Sequence, residues 1–167
     1  TLLQMATGLR VSEARTLMWD DIITDAQKRP ACIIRAENAK TGTTRVAALV
    51  EPAVYEHLIR RRDEVGGAYV VGAPLNPDTE WDRYNAQKAL KAFYKDLARD
   101  CGVPLLETYR THVWRTTLNT MYRTDVDALL RARTLGHSLD VNAQAYSDLS
   151  DLTTLYEAAR ARRREEN

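Results

Sequence analysis

Two short β-prone runs, residues 31–35 (ACIIR) and 44–50 (TRVAALV), stand out in a chain whose other apolar residues recur mostly at helical spacing. The polar stretch between them contains Lys40, Thr41 and Gly42, so the pair reads as a hairpin with a lysine at its tip or second shoulder. One small antiparallel sheet in a helical surround is an α+β fold, mainly α.

The helices follow from the spacing. Leu2, Leu3, Met5 and Ala6 are followed by a break at Thr7-Gly8, then Ser12 as a candidate N-cap before Ala14, Leu17 and Met18. Pro52 suits the first turn of a helix running to about Glu64, which Gly66-Gly67 stops. Arg60, Arg61 and Arg62 fall on its expected solvated face. After a loop rich in Pro, Gly and Asn, the stripe Ala86, Leu90, Phe93, Leu97 and Ala98 predicts a helix from about Arg83 to Cys101-Gly102. Beyond it, Asp125 is a candidate cap and Gly136 a stop, and the chain ends in a polar helix.

A chain of 167 residues suits one domain and would make two only with difficulty. No apolar stretch approaches membrane-spanning length, and a charged fraction of 28% is that of a soluble globular chain. Cys32 and Cys101 form no CxxC pair and no ligand pattern, which predicts reduced, intracellular thiols. A net charge of +1 neither demands nor excludes a polyanionic partner, because the placement of basic residues decides that. The chain opens at Thr1 and not at a methionine, so further N-terminal sequence is expected in the native protein, and the lack of a secretory leader here says little about the whole.

Chemistry-bearing residues sit at structurally special places: Arg10 after a helix-breaking glycine, Lys40 in the hairpin, His112 one helical turn before Arg115, His137 after Gly136, and Tyr146. A helical H-x-x-R alone is usually a surface pair. Taken in order, however, "TGLRVSEARTLMWDDI", "AKTGTTRVAAL", "THVWRTT" and "LGHSLDVNAQAY" resemble the tyrosine recombinase (phage integrase) family over nearly the whole chain. Ala48 stands where that family often has proline, and Trp114 where leucine is frequent. Neither position is one the chemistry uses.

Physical chemistry makes sense of that set. Two arginines brought together offer planar donors matched to the nonbridging oxygens of a phosphodiester, which suits Arg10 and Arg115 as a clamp. A tyrosine hydroxyl, with a reference pKa of about 10, needs nearby positive charge and a base to become a nucleophile. The leaving 5′ oxygen needs a proton, which fits the ammonium of Lys40. The resemblance implies Tyr146 as nucleophile, His112 as base and His137 as a phosphate ligand. Glu13, one turn after Arg10, reads either as a buttress for the clamp or as an exposed salt bridge. Histidine, cysteine and carboxylate spacing suggests no metal site, and no cofactor is expected.

What the resemblance implies is a tyrosine recombinase catalytic domain over residues 1–167, lacking the DNA-clamping N-terminal domain of full-length members. Site-specific recombination of double-stranded DNA would proceed through a 3′-phosphotyrosyl link, as in the integrase of a prophage or other mobile element. Full-length members work as tetramers on DNA, some with a directionality factor, in the bacterial cytoplasm at the nucleoid; the fragment alone is expected to be monomeric. The segment 150–167 reads as a solvated helix or as one docking in trans on a neighbour. Tyr109, Tyr122 and Tyr156 compete with Tyr146 in principle. Type IB topoisomerase-like relaxation, a non-catalytic DNA-binding module and, more remotely, a metal-dependent nuclease built on His112 and His137 stand as alternatives.

Overall fold

The computed structural model describes residues 1–122, 124–136 and 152–165. Among these, eight α-helices surround a three-stranded antiparallel sheet, with a separate two-stranded ladder to one side. The fold class expected from the sequence is the one observed. No helix among the described residues is long and apolar enough to cross a membrane.

Strands β2 (Pro30–Ile34) and β3 (Arg45–Ala48) form the expected antiparallel pair, with Cys32 opposite Ala47 and Ile34 opposite Arg45. Both faces of the pair are covered, which is why they read as continuous apolar runs and not as alternation. Cys32, Ile34, Ala47 and Leu49 belong to one cluster with Leu3, Leu9, Leu17 and Leu58. Ala31, Ala48 and Val50 face a second cluster with Leu118, Leu135 and Tyr156. Burial at 0% exposure pushes the Cys32 thiol up to about 12, so it behaves as a small apolar residue.

A third strand, β1 (Ile22–Thr24), pairs with β2 and was not foreseen. Three residues are too few to display a period. The connection is held instead by Asp25, whose buried carboxylate accepts from the backbone N–H groups of Gln27 and Arg29 at 3.0 and 2.8 Å. The segment read as a loop also contains a short ladder, β4 (Gly72–Ala73) with β5 (Asn76–Glu80).

Helices α1 (Leu2–Thr7) and α2 (Val11–Thr16) meet at Gly8, as expected, and Gly8 takes the left-handed conformation at φ 66°. A β-carbon there would come within 2.5 Å of Leu135 Cδ2, so the turn needs glycine for space as well as for its backbone angle. The expected Ser12 cap is not the observed one. Helix α2 starts at Val11 with Arg10 as its cap, and Glu13 accepts from the Arg10 N–H at 2.7 Å.

Helix α3 (Pro52–Val65) starts at its proline and leaves Arg60, Arg61 and Arg62 exposed. Helix α4 (Arg83–Cys101) buries Ala86 and Ala98 from the expected stripe, but the centre of that stripe is shifted. Tyr94 is fully buried, while Phe93 is 45% exposed. The Tyr94 hydroxyl accepts from the Trp114 indole at 2.5 Å, a bond an inward phenylalanine could not make.

Helices α5 (Leu105–Tyr109) and α6 (His112–Met121) are joined through Arg110 at φ 46°, a tight corner for a non-glycine residue. Helix α7 (Ala128–Leu135) is capped by Asp127, not by the expected Asp125; its carboxylate accepts from Leu129 and Leu130 N–H at 2.8 and 3.2 Å. Asp125 instead pairs with Arg162 at 2.9 Å. Gly136 ends α7 at φ 64°, as its position predicted.

Helix α8 (Leu152–Glu165) lies on its own chain. The Tyr156 hydroxyl faces the carbonyls of Pro30 and Leu49, and Arg163 donates to the Val50 carbonyl at 3.1 Å. Docking on a neighbour would require these contacts to be released.

Candidate phosphodiester cleavage site

The turn after α1 is what aims Arg10. The Thr7 hydroxyl donates to the Leu3 carbonyl and accepts from the Leu9 N–H, while the Gln4 side-chain amide holds the Leu9 carbonyl at 3.0 Å. With both ends of Thr7-Gly8-Leu9 tied, the backbone enters α2 in one direction. Arg10 then reaches Glu13 Oε1 at 3.1 Å and the Gly136 carbonyl at 2.7 Å.

Glu13 is 1% exposed and is the hub of the site. Its Oε2 also accepts from Arg45 Nη2 at 2.7 Å and lies 3.9 Å from Arg115 Nη2. Three guanidiniums therefore surround one carboxylate. Burial alone would raise the Glu13 pKa, but Arg45, the Arg10 N–H and Arg115 together hold it below the ordinary carboxylate range. The ion pairs of Glu13 are buried, not the exposed salt bridge that the sequence also allows for this residue.

Arg115 is 5% exposed, one turn into α6 from His112, which is exposed. Burial, and then the neighbouring Arg10 charge, bring the Arg115 guanidinium down to about 10. It remains charged at neutral pH. Both Nη atoms donate to the Leu135 carbonyl, and the buried Nε has no partner among the described residues.

Arg10, Lys40, His112 and Arg115 line one open cleft of about 520 Å³, together with Arg15, Arg83 and Gln87. They arrive from the cap of α2, from the β2–β3 connection and from α6. Lys40 is exposed beside the turn closed by the Gly42 N–H to Ala39 carbonyl bond at 3.0 Å. Arg15 is held by Glu80 and the Trp81 carbonyl. His137 and Tyr146 lie outside the described residues; Gly136, the residue before His137, accepts from the Arg10 guanidinium at 2.7 Å.

The rival tyrosines fare differently. Tyr122 and Tyr156 are buried, and burial raises the pKa of both hydroxyls, the wrong direction for a nucleophile. Tyr109 is exposed but is not among the residues lining the cleft.

Arg45 was missed in the sequence. It is 5% exposed, and burial, partly offset by Glu13, lowers its pKa. Its signal was present: Arg45 is in phase with Ala47 and Leu49, so a charge occupies an inward position of an apolar strand and must be paired there.

The model of the phage integrase family matches residues 1–152, nearly the whole chain. No curated protein and no solved structure matches it.

Proposed function

The chain belongs to the phage integrase family, whose chemistry is DNA recombination of the tyrosine recombinase type, and we propose that it performs that reaction with Tyr146 as nucleophile. The observation that carries this reading is the cleft where Arg10, Lys40, His112 and Arg115 meet.

Arg10 and Arg115 bind the nonbridging oxygens of the scissile phosphate and stabilise the charge that builds there during displacement. His112 takes the proton of the Tyr146 hydroxyl as its oxygen attacks phosphorus. The bond to the 5′ oxygen breaks, and Lys40 supplies the proton that the departing oxygen needs. His137 donates to the same phosphate. The products are a 3′-phosphotyrosyl link and a 5′-hydroxyl end; attack by a partner strand's 5′-hydroxyl reverses the step without an energy cofactor. In this reading the protein acts as a tetramer on two duplexes in integrating a prophage or other mobile element, as members of the family do, some of them with a directionality factor.

A substrate nicked near the cleavage point, which loses the religating end, tests the chemistry. Covalent adduct that forms equally well in chelator and leaves free 5′-hydroxyl ends supports the reading; cleavage abolished by chelator overturns it. Strand exchange between two duplexes separates recombination from relaxation of supercoils alone.

A further inference from the structure

Three consecutive carbonyls at the end of α7 each accept from a different arginine of the site: Thr134 from Arg45 at 2.5 Å, Leu135 from Arg115, and Gly136 from Arg10 at 2.7 Å. Arg10 and Arg115 line the cleft; Arg45 is not among its lining residues. Its position sets it apart in a second way. Arg45 bonds Glu13 Oε2 at 2.7 Å, whereas Arg115 stands off from the same oxygen at 3.9 Å, beyond hydrogen-bond length.

We infer that Arg45 is a positioning residue for strand cleavage, which occupies Glu13 so that the Glu13 carboxylate does not capture Arg115. A buried carboxylate that loses one of its cation partners strongly attracts the next nearest cation, because little water competes for it; Arg10 stays on Oε1 at 3.1 Å, so the place left open is at Oε2. Without Arg45 that cation is Arg115, whose Nη2 needs to move by only about an ångström to reach bonding distance. A guanidinium drawn into a buried ion pair is turned away from the phosphate. Arg45 also fixes the end of α7: its Nε lies so close to Gly136 that no β-carbon fits there. It thereby ties the lysine-bearing connection, five residues upstream, to the end of α7 at Gly136.

The inference rests on the proposed function, and a double-variant comparison separates the two. Single-turnover cleavage of the nicked substrate at saturating DNA is measured for the protein, Arg45→Gln, Glu13→Gln and the pair together, with thermal unfolding and DNA affinity alongside. Arg45→Gln is expected to slow cleavage by about 10²-fold, as for loss of one aimed donor, with affinity within about twofold. Adding Glu13→Gln to it is expected to restore about tenfold or more, because a neutral amide does not capture Arg115; a merely structural role predicts that the pair is worse than either single change. Arg45→Lys, which keeps a charge on Glu13 but lacks the fork, is expected to stay within about tenfold of the parent. Should Arg45→Gln fail to fold, Arg45→Met, which fills a similar volume without a charge, takes its place in the same comparison. A parent that cleaves while Arg45→Gln cleaves as fast, or a double variant no faster than its Arg45 single, overturns the role of Arg45. A parent that forms no adduct overturns the proposed function itself.

Discussion

The guanidinium of Arg10 donates to the carbonyl of Gly136 at 2.7 Å, across 126 positions of sequence. Through this bond the first arginine of the cleft meets the last residue before His137. Arg115 and Arg45 grip the two preceding carbonyls, so the negative end of α7 rests on the cationic cluster.

Glu13→Gln is expected to destabilise the protein by about 3 to 5 kcal/mol at neutral pH, since it leaves buried guanidiniums uncompensated. The folded-state pKa of Glu13 is depressed, so its contribution is present above the ordinary carboxylate pKa of about 4.3 and is lost as pH falls through the folded value. Thermal melts from about pH 3 to 7 should show the gap between parent and variant closing on acidification. A gap constant over that range contradicts the assignment.

Gly136→Ala and Gly102→Ala form a controlled pair. Both glycines end a helix in the left-handed region, at φ 64° and 65°, but only Gly136 has Arg45 where a β-carbon would stand; nothing lies within 4 Å at Gly102. Gly102→Ala should cost about 1 to 2 kcal/mol of backbone strain with cleavage unchanged. Gly136→Ala should cost more and also slow cleavage, because Arg45 has to move. Equal stability losses, read by denaturant titration, contradict the packing described.

Tyr156→Phe should lose about 1 to 2 kcal/mol, as the buried hydroxyl no longer serves the carbonyls of Pro30 and Leu49. For a chain of this size that lowers the melting temperature by roughly 2 to 8 °C. Covalent adduct should still form. An adduct lost with Tyr156→Phe while the protein remains folded would move the nucleophile to α8.

DNA affinity should fall with salt, because the cleft presents cations to phosphates. Even two phosphate contacts give about tenfold weaker binding between roughly 50 and 200 mM salt. Titration by fluorescence anisotropy checks this, and a flat profile contradicts phosphate-led binding.

The helices were legible in the sequence because apolar spacing, Pro52 and the stops at Gly8, Gly102 and Gly136 agree with one another. The cap of α2 was not, because Glu13 supplies it from inside the helix and Ser12 merely has the right chemistry. Strand β1 is too short for its period to show, and the place of Phe93 against Tyr94 is decided by a hydrogen bond to Trp114 that no local pattern announces. At the site, Arg10, Lys40, His112 and Arg115 stand at marked places in the sequence, whereas the inward phase of Arg45 with Ala47 and Leu49 shows only that its charge must be paired, not with what. Its partners, Glu13 and Thr134, are 32 and 89 positions away.

The identity of the nucleophile is the most direct test of phosphotyrosyl chemistry in this chain. Parent protein and Tyr146→Phe are incubated with the nicked substrate, and the adduct is digested and mapped by mass spectrometry. The expected result is a nucleotide joined to Tyr146 through its 3′ phosphate in the parent and no adduct from the variant. An adduct formed as abundantly by Tyr146→Phe, or mapped to another side chain, would contradict it.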